Sequence, residues 1–185
     1  TIGVVVNTYD RMGFDGMGYV EDTLGSGEVI KYVVSFHWLW TFTAYLLLFI
    51  SFLLTVTIYT FIPDIISPHS IELLHRIIPS LLLFSTGFIV FFNMMIKKWT
   101  TERVLTDNRF IQKTGWILRN TEDIRINRME EVNLNQTIFG RIFDYGDIRI
   151  SGMGTGSIHL KMIDSPITFQ KTLNDLKVNY STTLP

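Results

Sequence analysis

The stretch YVVSFHWLWTFTAYLLLFISFLLTVTIYTFIP, from Tyr32 to Pro63, holds no Asp, Glu, Lys or Arg, and neither does IIPSLLLFSTGFIVFFNMMI, from Ile77 to Ile96. The hydrocarbon core of a bilayer is about 30 Å thick and takes roughly 20 apolar residues in a helix to cross. At about 1.5 Å per residue the second stretch is long enough, and the first has length to spare. Spans are expected over about residues 38–61 and 77–97. Two spans joined by a short loop bring the chain back to the side it came from. The expected architecture is therefore a transmembrane helical hairpin, over residues 28–99, followed by one small domain over 100–178 and a tail over 179–185.

Charge supports that division. A mean hydropathy of +0.27 lies between that of a soluble protein and that of a polytopic transporter. Residues 97–185 carry 13 Lys and Arg against 10 Asp and Glu, whereas residues 1–40 carry 2 against 5. The basic surplus is too small to argue for a nucleic-acid partner, but it is compatible with a domain lying against anionic headgroups. The absence of cysteine excludes disulfides, thiolate metal sites and cysteine nucleophiles. Residues 1–27 are rich in glycine and contain no apolar core of signal-peptide length, so they are read as a flexible or partner-dependent arm. Lys97, Lys98 and Arg103 cluster after the second span, while the loop from Ile62 to Arg76 has Arg76 alone. Positive charge favours the cytoplasmic side, which predicts both termini and the domain inside. In the loop, Pro63 and Asp64 stop the first helix. Ser67-Pro68 reads as a cap opening a short interfacial helix, with Pro79 kinking the join.

After Trp99 the period changes from helix to strand. Arg103–Thr106 and Arg109–Lys113 flank Asp107-Asn108, a two-residue loop that tolerates positive φ. Gly115 follows, and Trp116–Arg119 reads as a further short strand. Alternating apolar residues then recur at Ile124 and Ile126, Val132 and Leu134, Ile148 and Ile150, and Ile158, Leu160 and Met162. Short strands at this spacing indicate an antiparallel sandwich or barrel. Ser165-Pro166 opens a helix whose Phe169, Leu173 and Leu176 share one face. Between strands, Phe139, Ile142 and Phe143 are expected to form the packed face of a short helical turn. The pattern fits an α+β fold of the pleckstrin-homology kind among several alternatives.

Particular residues narrow the choice. TERVLTDNR (Thr101–Arg109), Gly115-Trp116, IFGRIFDYGDI (Ile138–Ile148) and Asp164-Ser165-Pro166 with Phe169 occur in order, preceded by Gly27-Glu28 and by the helical hairpin. This succession resembles the bacterial membrane-flanked PH-like domain family over about Gly25 to Leu176. The resemblance implies a split, bent antiparallel sheet with a C-terminal helix plugging one end. It also implies the inner (plasma) membrane of a bacterium, and no reaction.

The residues themselves point to no reaction either. Gly152–Gly156 lacks the glycine spacing and the following helix of a phosphate loop, and reads as a hairpin turn. His69, Glu72 and His75 are three apart rather than the i, i+4 of a helical zinc pair. His37 falls in an aromatic belt and His159 on a polar strand face. Glu130 and Glu131 are expected on opposite faces of a strand, and Asp144 and Asp147 are expected to order their turn. Asn93, the one amide of the second span, is expected to join helices. No catalytic, metal or cofactor residues are assigned, and no small-molecule substrate. The candidate contacts for anionic lipid or a partner are Arg125, Arg128, Arg141 and Arg149, through bidentate guanidinium bonds. The function expected is a non-enzymatic accessory or scaffold subunit. Its partners are the lipid bilayer and other membrane protein subunits or further copies of itself, with headgroup sensing by the basic face as the alternative.

Overall fold

The computed structural model describes residues 18–61, 72–154 and 156–183. The arm up to residue 17, the turn at Pro63 and Asp64, the Ser67-Pro68 cap and His69 lie outside the described residues. Four elements come first: α1 (Gly18–Thr23), β1 (Ile30–Val33), α2 (Trp38–Phe61) and α3 (Glu72–Thr100). The last two are long and apolar enough to cross a membrane, over Trp38–Phe61 and Ile77–Thr100. Helix α3 runs through Pro79 as one element.

The two long helices form one compact unit over Trp38–Ile96. Thr43, Thr55 and Thr57 donate their hydroxyls to carbonyls four residues back, satisfying each group inside its own helix. The helices meet at small residues. Ala44 and Ser51 are buried, and Ser51 Oγ donates to the Leu83 carbonyl at 3.1 Å. A Cβ at Gly87 would come within 2.2 Å of that hydroxyl, so only glycine fits this close approach. Trp40 Nε1 donates to the Met94 carbonyl at 3.1 Å. Asn93 does not join the helices: its amide donates to Ile89 of its own helix at 2.8 Å.

The second unit holds the residues up to His37 and those from Lys97. Here β2 (Glu102–Thr106), β3 (Arg109–Thr114) and β4 (Asn120–Arg125) precede a 3-10 turn at Ile126–Arg128 and β5 (Met129–Asn135). They are followed by α4 (Ile138–Phe143), β6 (Tyr145–Gly152), β7 (Gly156–Asp164) and α5 (Pro166–Thr183). All pairings are antiparallel, in one sheet of order β1-β2-β3-β4 and one of order β5-β6-β7. Alternation puts Leu105, Phe110, Ile148, Ile150 and Leu160 into a shared core. Phe169 and Leu173 of α5 complete it, and Phe169 packs on Phe110 with ring centroids 5.8 Å apart. The other face of the first sheet carries Val104 and Ile111, covered by Val20 of α1.

Several boundaries depart from expectation. Strand β1 belongs to the β unit, pairing Ile30 with Thr106 and Val33 with Val104. Beyond it, Phe36 bridges to Ile163 of β7, so residues 30–37 cross from one sheet to the other. The long helices are thus inserted between the first and second strands of the domain. Residues 18–27 also differ from the expected arm, since α1 packs on the sheet. Tyr180 packs on the core from α5, which continues into the expected tail. Trp116–Arg119 is a loop. Gly115 there has φ +95°, and a Cβ on it would lie 2.0 Å from the Leu118 carbonyl, so the chain turns tightly instead of extending. Helix α4 does not pack through Phe139, Ile142 and Phe143, which are all exposed; Gly140 is its buried residue. A Cβ at Gly140 would meet the Tyr145 carbonyl at 2.6 Å, so the helix lies on its neighbours through backbone.

Candidate functional site

The four arginines do not form one face. Arg125 ends β4, and the next residue, Ile126, donates its N–H to Asn108 in the β2–β3 turn at 2.9 Å. Arg128 accepts at its carbonyl from Met153 N–H in the β6–β7 turn, at 2.8 Å. Arg141 lies in α4, at the opposite end of the second sheet. Strand β6 separates the two ends from Tyr145 to Gly152, about 23 Å at roughly 3.3 Å per residue. Arg149 is midway, between Asn133 and His159 in register. Its Nε donates to His159 Nε2 at 3.1 Å, which requires the lone pair of a neutral imidazole.

Other expected positions also move. His37 is buried in the β unit. Its ring nitrogen is 3.7 Å from Asp164, and its backbone N–H donates to the Met162 carbonyl at 2.9 Å. Asp147 accepts from Met162 N–H at 2.8 Å and Asp144 from the Ser165 hydroxyl at 3.0 Å. Both carboxylates therefore fix the end of β7 and not their own turn. Met162 and Ser165, each at φ +47°, are held in this uncommon conformation by those bonds. Glu130 and Glu131 are both exposed because β5 carries a bulge between Met129 and Glu131, which interrupts the alternation. The Gly152–Gly156 segment joins β6 to β7 as a hairpin turn, with Gly154 at φ +69°.

Most strongly placed charges hold the fold together. Glu28, whose side chain is 4% exposed, accepts both Nε and Nη2 of Arg109 at 3.1 Å and the Thr106 hydroxyl at 2.7 Å. Burial opposes ionisation of Glu28, but Arg109, Thr106 and the Gly25 amide outweigh it and hold the carboxyl below its ordinary value. Arg109 also reaches Asp123 at 3.4 Å. Glu102 pairs with Lys113 and accepts from Val20 N–H of α1 at 3.2 Å.

Arg103 is different. It is 6% exposed, its Nε and Nη1 have no hydrogen-bond partner, and its guanidinium lies 4.2 Å from the Phe36 ring centroid. Burial alone pushes its pKa down to about 10, so it stays charged at neutral pH. Its cross-strand partner Gln112 has a buried, unsatisfied Oε1. The sequence holds a signal for this position, since Arg103 shares the parity of the core residue Leu105, but arginine is so seldom buried that residue type outweighs alternation and places it on the solvent face.

A split antiparallel sandwich closed by a C-terminal helix, with two membrane-length helices inserted near its start, defines a class of PH-like modules that carry a helical hairpin. The chain belongs to the family of the bacterial PH domain, whose family model matches residues 33–177. No curated protein and no solved structure matches it.

Proposed function

We propose that the hairpin crosses a bacterial plasma membrane with both termini and the β domain in the cytoplasm. The chain then works as a non-catalytic accessory or scaffold subunit of a membrane assembly. The observation that carries this reading is the mutual engagement of the domain's ionisable groups: Glu28 with Arg109, Glu102 with Lys113, Arg149 with His159. Groups tied up in this way serve architecture, and they leave apolar surface as the means of association. Membership of the bacterial PH domain family supports it. Because the chain has no cysteine, orientation is testable directly: Ser67→Cys should react with an impermeant thiol reagent from outside and Ser181→Cys should not. Purified in mild detergent, the protein should run at a mass above one chain. Changing Arg125, Arg128 and Arg149 together to Gln should leave that mass intact, since exposed charges contribute only about 0–1 kcal/mol each. A monomer in detergent that also fails to crosslink in native membranes would overturn the scaffold reading.

A second reading is anionic-lipid sensing, now favoured by Arg103 in place of the dispersed four. A buried guanidinium whose Nε and Nη1 lack hydrogen-bond partners is costly unless an anion reaches it. A short-chain phosphatidylglycerol should then raise the Tm of the detergent-solubilised chain in a salt-sensitive way, phosphatidylcholine should not, and Arg103→Gln should abolish the difference. Equal shifts with both lipids would dismiss this reading.

A further inference from the structure

The β unit exposes its large apolar side chains mainly at one end. In the first sheet, the loop between β3 and β4 carries Trp116, Ile117 and Leu118, the last two 85% and 86% exposed. Residue pairs Glu102–Lys113 and Thr114–Asn120 place this loop beside the start of β2. That strand begins two residues after α3 ends, so the loop belongs to the end of the sheet tethered to the second long helix. In the other sheet, α4 exposes Ile138, Phe139 and Ile142. It lies next to the Tyr145–Asp164 pair, where Phe36 bridges to Ile163 and His37 bonds to Met162. His37 directly precedes α2. The two sheets therefore each present an apolar projection at the end from which a long helix departs. The opposite end, with the Asp107-Asn108 turn, the Ile126–Arg128 turn and the β6–β7 turn, exposes isolated apolar side chains, Met153 and, beside Asp107, Val29, and no cluster of them among the described residues.

Neither projection is loose. Gly115 folds the loop back on the Leu118 carbonyl, which forces three successive apolar residues outward. Helix α4 is capped by Thr137, whose hydroxyl accepts from Gly140 N–H at 3.0 Å, and it ends on Asp144 at φ +55°. Built, rigid apolar projections on an otherwise polar domain mark a contact with an apolar phase.

We propose that the Trp116–Leu118 loop and the Ile138–Ile142 face of α4 insert into the interfacial layer of the leaflet from which the long helices emerge, seating the domain on the bilayer. The occupant is lipid because both projections, from separate sheets, share the tethered end. By chain connectivity both long helices leave the domain at that end, so a bilayer holding them is within reach of both projections, and association with partner subunits is left to the exposed apolar faces of the helices themselves. Trp and Phe beside aliphatic residues suit the boundary between headgroups and acyl chains. The proposal rests on the reading of α2 and α3 as spans, and its test separates the two.

Single-cysteine variants Ile117→Cys, Ile142→Cys and Met153→Cys of the full chain would be labelled with an environment-sensitive fluorophore. They would then be reconstituted into phosphatidylethanolamine–phosphatidylglycerol vesicles. Probes at 117 and 142 should be blue-shifted and quenched several-fold more by shallow spin-labelled lipid than the probe at 153, with the reverse order for aqueous iodide. All three positions are exposed, so the substitutions leave folding intact. Equal, water-like behaviour at the three sites in vesicles that retain the protein after alkaline carbonate overturns the insertion and leaves the spans standing. Release by carbonate overturns both. Water-like probes in pure lipid that become protected only in native membranes assign the surface to a protein partner and equally overturn the proposal.

Discussion

At the scale of residues, Glu28 shows how one buried carboxylate can clasp a segment that is distant in sequence. Replacing it by Gln removes the charge from a bidentate pair with Arg109, and charge-assisted bonds of this kind contribute about 1.5–3 kcal/mol. Because the folded carboxyl sits below its ordinary value of 4.5, its contribution is fully present above about that pH. It is lost as pH falls through the lower, folded value. Urea unfolding of the two forms should therefore differ at pH 7 and draw together in acid; a gap that does not narrow as pH is lowered below the ordinary carboxyl range would contradict the pairing. Phe139 and Gly140 make the opposite contrast. Phe139→Ala should change stability by no more than about 0.5 kcal/mol, since the ring is 67% exposed. Gly140→Ala should cost about 1–3 kcal/mol because its Cβ meets the Tyr145 carbonyl. Thermal melts of both variants decide whether α4 is held by backbone or by its aromatic ring. The spacing of Phe139, Ile142 and Phe143 marked a helix correctly but could not say which side faced protein, because amphipathicity records an apolar boundary and not the identity of the apolar neighbour.

At the scale of elements, the hairpin of α2 and α3 depends on Ser51 meeting Gly87. Gly87→Ala should push the helices apart, costing about 1–3 kcal/mol. Adding Ser51→Gly should restore most of that, because it removes the hydroxyl 2.2 Å from the new Cβ. The residual deficit is the lost Ser51–Leu83 bond, about 0.6 kcal/mol by the average for such contacts. Melting temperatures in detergent test the cycle; additive losses in the double variant would mean that the helices do not meet there. The lengths of both helices were legible from charge-free runs, but this contact was not. Ser, Thr and Gly are scattered through both runs, and only the packed rotation of each helix selects Ser51 and Gly87. Among the strands, alternation located β2, β3, β6 and β7. It failed at Trp116–Leu118, where three consecutive apolar residues should have signalled that no strand face could hold them all.

At the scale of the whole molecule, the inserted hairpin makes the domain discontinuous. A fragment from Thr100 onward lacks β1, leaves β2 as an unpaired edge and uncovers Val104 and Leu105, which are fully buried in the intact chain. Such a fragment should aggregate or give broad, unfolded amide spectra. Joining residues 18–37 to residue 100 through a short Gly-Ser linker should restore a cooperative melt. The physical basis is the bond from Val34 N–H to the Arg103 carbonyl at 2.9 Å, which holds the two sides of the insertion together. A cooperative melt from the short fragment alone would show that β1 is dispensable.

Local composition alone determined the two membrane-length helices, most strands, the C-terminal helix and the family, because each is written in a run or period of neighbouring residues. Tertiary structure alone decided that residues 18–37 complete the sheet and that Arg103 is buried while Phe139 is not. It also decided that Arg125, Arg128, Arg141 and Arg149 are dispersed. These facts depend on which distant segments meet, and the free energy of meeting is shared among many weak contacts that no short stretch of sequence contains.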